Sequence, residues 1–164
     1  MSENQMMRLE NKVAMVVGAG QTPGPTMGNG RATAVLFARE GAKVLVVDRD
    51  LDSANETVEI IGNEGGTAYA FEADVTDEVT LKMAVADCMT RWNRLDVLHN
   101  NVGISVTGGD APVTEITVEA FDLIMAVNLR GVVMTCKHAL PVMRAQESGV
   151  ILTISSIAAI ENYP

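Results

Sequence analysis

Two runs, KVAMVVG (12–18) and AKVLVVD (42–48), are almost wholly apolar and rich in valine. Strands buried on both faces of a parallel sheet read this way, because helices cover both sides and no alternation with solvent is needed. Three more runs follow: TAYAFEADV (67–75), LDVLHNN (95–101) and GVILTIS (149–155). Helical patterns separate them. Residues Gly30 to Glu40 are compact and alanine-rich, with Gly41 as a stop. Leu51, Ala54, Val58 and Ile61 recur at helical spacing, as do Leu81, Val85, Met89 and Trp92. Val118 to Asn128 and Val132 to Gln146 give two further helices, the second bent at Pro141. This order predicts an α/β fold: a doubly wound, Rossmann-type parallel sheet with helices on both faces, as a single domain over 1–164. Ligands of such sheets bind at the carboxyl ends of the strands, where strand order reverses.

The rest of the composition narrows the classes. A chain of 164 residues, 48% hydrophobic and 20% charged, holds one hydrophobic core and is too short for two ordinary domains. Its net charge of −9 disfavours nucleic acids and anionic membranes as partners. Charges or glycines interrupt every apolar run before it reaches membrane-span length. The stretch MSENQMMRLENK has no apolar signal-peptide core, so a cytoplasmic location is expected. Cys88 and Cys136 read as free thiols, and no His/Cys/Asp/Glu cluster has metal spacing.

The first strand runs straight into GAGQTPGPTMGNGRATA (18–34) and then into helix. Glycines belong where a pyrophosphate must approach backbone N–H groups that a Cβ would screen. Gly30 lets the first helix close on the strand. Asp48 ends the second strand, eighteen residues beyond Gly30, where a carboxylate can accept from the adenosine ribose hydroxyls of a dinucleotide. The same charge repels a 2′-phosphate, so NAD is favoured over NADP. Arg49 beside it could instead meet that phosphate or stand as a solvated charge.

These residues resemble the short-chain dehydrogenase/reductase family over the whole chain. That family spaces its glycines as Gly, three residues, Gly, one residue, Gly. Here Gly18 is followed by nine residues, then Gly28, Asn29 and Gly30, so the loop carries six extra residues, which Pro23 and Pro25 should stiffen. Ala73-Asp74-Val75 is similar to the segment whose Asp side chain and next N–H hold the adenine. Asn100-Asn101-Val102-Gly103 is similar to the family's Asn-Asn-Ala-Gly at the adenosine ribose, with Val102 in place of Ala. Asn128, in VNLRG, matches the active-site Asn, and Ser156, after Ser155, matches the catalytic serine.

The resemblance implies hydride transfer between nicotinamide and a small alcohol or ketone. The serine orients the substrate oxygen and the Asn backbone carbonyl holds a water. A tyrosine, with a lysine four residues on, moves the proton. That Tyr-x-x-x-Lys pair is absent from these residues. Tyr163 lies too soon after Ser156 and reads as a loop residue near the substrate pocket; Lys137 lies before the fifth strand. The chain is thus expected to be the first two-thirds of an oxidoreductase, with its C-terminal strands missing, and inactive alone. The alternative is a non-catalytic dinucleotide-binding module, or a subunit needing a second chain. The resemblance also implies a homo-tetramer or dimer when the protein is intact. As it stands, the fifth strand should be an exposed apolar edge, and the Val132–Gln146 helix should bare Val133, Leu140 and Met143.

Other residues read as structural. His99 is expected to be partly buried and hydrogen-bonded, and His138 exposed or at an interface. Asp77, Glu78 and Asp87 are expected on a solvated helix face. Met125, Met134 and Met143 are expected as packing filler.

Overall fold

The computed structural model describes residues 7–22 and 24–157. Five parallel strands, β1 (Val13–Val17), β2 (Lys43–Asp48), β3 (Thr67–Glu72), β4 (Val97–Asn100) and β5 (Val150–Thr153), lie in the order β3-β2-β1-β4-β5. Five α-helices intervene: α1 (Asn29–Arg39), α2 (Leu51–Asn63), α3 (Glu78–Trp92), α4 (Val118–Met125) and α5 (Gly131–Ala145). The expected strands are all present, each trimmed to its paired core. β3, for example, stops at Glu72 and leaves Ala73, Asp74 and Val75 in the turn beyond it.

Burial explains the sheet. β1 is buried at every position, and β2 from Val44 to Val47. Met15, Val17, Leu45, Val47 and Leu98 face Leu81, Val85 and Cys88 of α3 and Ala139 and Met143 of α5. Ala14, Val16, Val44, Val46 and Val97 face Ala34, Val35 and Ala38 of α1 and Ala54 and Ile61 of α2. The sheet is therefore covered on both sides, as its unbroken valine runs require. β5 is an edge strand, with Val150 and Leu152 exposed.

Several expectations are corrected. The helices expected at 118–128 and 132–146 run together through one wide π-helical turn, Ala126–Arg130, and Pro141 sits inside α5. Met143 is buried, because Gly149 leaves the space its side chain fills; only Val133 and Leu140 of the expected bare flank are exposed. α2 buries Ser53, Ala54, Thr57 and Ile61 and exposes Leu51, so its inner face is partly polar.

His99 is 5% exposed, and neither ring nitrogen has a hydrogen-bond partner among the described residues. The expected hydrogen bond is absent because Phe37 of α1 meets the ring edge-on at 6.1 Å between centroids, on an apolar face. Burial holds its pKa below the ordinary histidine value. His138 is mostly covered and meets Glu78 at 3.0 Å, where Lys137 also pairs at 2.7 Å. Asp77, Glu78 and Asp87 are partnered rather than merely solvated. Asp77 caps the helix through the Val79 amide, Glu78 joins α3 to α5, and Asp87 pairs with Arg91. Cys88 is buried and Cys136 half-buried, both free thiols; burial pushes Cys88 up to about 12.

Candidate dinucleotide site

Strand order reverses between β1 and β4, and the chain leaves both strands there into the residues of interest. Gly18 turns at φ +81°, and a Cβ on it would lie 2.6 Å from Val102 Cγ2. Gly30, in the first turn of α1, packs so closely that a Cβ would meet the Gly18 carbonyl oxygen at 1.8 Å. Asn101 Nδ2 donates to that same carbonyl at 3.1 Å. Gly18, Gly30, Asn101 and Val102 therefore form one close-packed corner, from which the N-terminus of α1 emerges. Its first-turn N–H groups have no intrahelical partner and carry the positive end of the helix dipole.

Asp48, at the end of β2, turns toward this corner. Its Oδ2 accepts from the Gly20 amide at 2.8 Å and its Oδ1 from the Asp50 amide at 3.1 Å. A carboxylate offers about four acceptor positions, so two further hydrogen bonds remain open to a diol. A Cβ at Gly20 would lie 2.8 Å from Asp48 Oδ2 and 2.9 Å from Ser53 Oγ. Gly20 is thus also closely packed, against side-chain atoms rather than the backbone that Gly30 would meet, although the family spacing does not single it out. The "GAG" at the end of β1 was the available signal.

Beyond Asp48, an open groove of about 790 Å³ is lined by Arg49, Asp50, Leu51, Asp52, Glu72, Ala73, Asp74 and Thr80. Asp74 Oδ1 accepts from the Thr76 hydroxyl and the Thr76 amide, both at 2.7 Å. The Thr76 hydroxyl first, and its amide second, hold the Asp74 carboxyl below its ordinary pKa. Val75 packs against Gly131, where a Cβ would come within 2.8 Å.

Gly28 precedes α1 as its cap residue and has no side chain to cap with; Asn29 opens the helix and is exposed. The Gly28 amide instead donates to Gln21 Oε1 at 2.7 Å. Pro23 lies outside the described residues, and Pro25 is exposed.

On the other side of β4, Gly103 leads into a loop closed by Asn128. Asn128 Oδ1 accepts from the Ile104 amide at 2.9 Å, and its Nδ2 donates to the Ile104 carbonyl at 2.8 Å. Asn128 stands in the π-helical turn, which carries its side chain to that loop. Ser155 and Ser156 follow β5 at the same carboxyl edge and are exposed. Tyr163 lies outside the described residues. Lys137 faces α3 through Glu78.

The residues forecast from the sequence as lining a dinucleotide thus occupy one edge of the sheet. Gly20, Gln21, Arg31, Ser53 and Thr57, which no sequence motif singles out, brace this edge from behind. Among the described residues no helix is long and apolar enough to cross a membrane.

The chain and its fold have relatives among known proteins. Residues 12–164 match the pattern of a family described as short chain dehydrogenase. The chain is 39% identical over 153 residues to an uncharacterized oxidoreductase, YxbG, of Bacillus subtilis, covering 93% of this chain and 53% of that protein. It is 36% identical to 2-(R)-hydroxypropyl-CoM dehydrogenase of Xanthobacter autotrophicus, covering 94% of this chain and 60% of that one. Among solved structures it superimposes, with a TM-score of 0.86 and 32% identity, on a 7α-hydroxysteroid dehydrogenase in complex with NADH and 7-oxo glycochenodeoxycholic acid. That match covers 99% of this chain and 60% of the other. The chain spans little more than half the length of these relatives.

Proposed function

Because the chain belongs to the short-chain dehydrogenase family, we propose that it binds NAD(H) along the carboxyl edge of its sheet. In the full-length protein it would serve hydride transfer between that cofactor and an alcohol or carbonyl substrate. The corner at Gly18 and Gly30 supports this: a Cβ on either would collide with Val102 or the Gly18 carbonyl, so the N-terminus of α1 is held against the end of β1, and Asp48 faces the loop between them.

In this reading the first-turn amides of α1 hold the pyrophosphate, and Asp48 takes the adenosine ribose hydroxyls on its open lone pairs. The Asp74–Val75 turn and Arg49 flank the adenine. Asn101, Val102 and Gly103 line the ribose from β4. The acids around the adenosine groove, Asp48, Asp50, Asp52, Glu72 and Asp74, disfavour the 2′-phosphate of NADP. The bound nicotinamide supplies the hydride acceptor or donor. Ser156 donates to the substrate oxygen and fixes its direction, while the Asn128 side chain, committed to Ile104, leaves its backbone carbonyl to hold a water. The acid–base step needs a Tyr-x-x-x-Lys pair that these 164 residues do not contain, so activity is proposed for the full-length protein only.

The test is NADH formation by the full-length protein from NAD with a panel of secondary alcohols. Replacing Ser156 with Ala should lower kcat by about 100-fold or more. Binding of NADH without turnover of any alcohol or ketone would favour the second reading, a non-catalytic dinucleotide module, which the absent Tyr-x-x-x-Lys pair motivates.

We also propose that a second copy of the chain covers the α4–α5 face. Phe121, Met125, Leu129 and Val133 are 52%, 38%, 52% and 49% exposed and follow at four-residue spacing through the π-helical turn. A two-fold axis near Ala126 would set Asp122 of one copy against Arg130 of the other.

A further inference from the structure

The loop between Gly18 and Gly28 is six residues longer than the family spacing, and a chain of that length without supports would sample many paths. One side chain closes it. The Gln21 carboxamide nitrogen donates to the carbonyls of Thr22, at 2.6 Å, and Thr26, at 2.9 Å. Its oxygen accepts from the Gly28 amide at 2.7 Å. Start, crest and end of the insertion therefore meet on one amide group.

The Gln21 backbone is clamped in turn. Its N–H donates to Ser53 Oγ at 2.6 Å, and its carbonyl accepts from that hydroxyl at 3.2 Å. Behind Ser53 lies Arg31, only 8% exposed. Arg31 donates to the Ser53 carbonyl at 3.0 Å, to Thr57 Oγ1 at 2.9 Å and to Glu56 at 2.9 Å. The Thr57 hydroxyl in turn donates to the Ala19 carbonyl at 2.8 Å. A buried guanidinium is tolerated only where its donors are met, so the arrangement of these groups is fixed. The anchor reaches both Ala19 and Gln21, the two residues that flank Gly20.

We propose that Gln21 is a positioning residue of the dinucleotide site. Its carboxamide holds the lengthened loop in the one path that leaves the first-turn amides of α1 open to a pyrophosphate. Gln21 Oε1 takes the Gly28 N–H, which precedes the helix, and the amides that follow stay available to phosphate oxygens. This rests on the dinucleotide reading of the site, and the experiment separates the two.

The full-length protein is titrated with NADH, ADP-ribose and adenosine in four forms: unaltered, Q21A, a variant lacking residues 22–27, and the two changes combined. The deletion restores the family's three-residue spacing between Gly18 and Gly28. Q21A should weaken NADH and ADP-ribose about tenfold and change adenosine less than about twofold. In the shortened loop, where there is no insertion to hold, Q21A should change nothing. Equal losses for all three ligands would mark a merely structural residue and overturn the inference, as would an NADH loss under about twofold. A Q21A effect that persists in the shortened loop would overturn it as well. Each of these leaves the dinucleotide reading standing. Failure of the unaltered protein to bind either NADH or ADP-ribose would overturn both. If the deletion does not fold, the three-ligand comparison on Q21A decides alone.

Discussion

A methyl group at residue 30 has nowhere to go, since its carbon would lie 1.8 Å from the Gly18 carbonyl oxygen and 2.7 Å from Asn101 Nδ2. Both neighbours are fixed by β1 and β4, so the helix itself must shift. Gly30→Ala should cost about 1–3 kcal/mol or more in urea denaturation. Gly62→Ala, in α2 with nothing within 4 Å of the added carbon, should gain about 0.5–1 kcal/mol. His99 offers a second residue-scale measurement. Its folded pKa lies below its ordinary 6.5, so the unfolded chain binds the proton first on acidification. Stability from this group is full above pH 6.5 and falls as pH drops below it. His99→Leu should flatten that slope and add about 1–3 kcal/mol in acid, since it removes a buried ring whose nitrogens have no hydrogen-bond partner among the described residues. An unchanged slope between neutral and mildly acidic pH would refute this. Gly18, Gly30 and Asp48 were legible in the sequence because close backbone approach and charge dictate residue type. The state of His99 was not, since no pattern tells which face of a buried strand meets phenylalanine rather than a hydrogen-bond acceptor.

At the scale of elements, hydrophobic patterning located each strand and α-helix of the described residues but misjudged how two of them behave. The sequence pattern leaves residues 129–131 between two helices, yet the chain continues through a π-helical turn at Ala126–Arg130. The wider turn carries Asn128 to Ile104, a contact that a helix ending at Asn128 would not fix. Asn128→Ala deletes both hydrogen bonds to Ile104. The Ile104 amide should then exchange faster in hydrogen–deuterium exchange, with a stability loss of about 1–2 kcal/mol. Unaltered exchange at Ile104 would mean the loop is held by other contacts. In α2, apolar spacing pointed to Leu51, Ala54, Val58 and Ile61, whereas Ser53 and Thr57 lie inside. They are buried because Arg31 and the glycine loop supply their hydrogen bonds. A polar pair on an inner helix face leaves no hydrophobic signature.

The α1–α2 and α3–α5 layers close the sheet, but the stripe from Phe121 to Val133 remains in solvent, an exposure that usually marks an interface. Leu129→Glu should reduce the mass of the full-length protein in light scattering, and a monomer before substitution would contradict the proposed second copy. The doubly wound sheet was readable from the sequence because uninterrupted valine runs are stable only between two helical layers. The path of the lengthened loop was not, since it depends on side chains distant in sequence. We propose that the corner of Gly18, Gly30 and Asp48 binds a dinucleotide and prefers it without a 2′-phosphate. Calorimetric titration of the full-length protein with NADH and with NADPH tests it most directly. NADH should bind at least about tenfold more tightly, and Asp48→Asn should narrow the gap. Tighter binding of NADPH, or no binding of either, would contradict it.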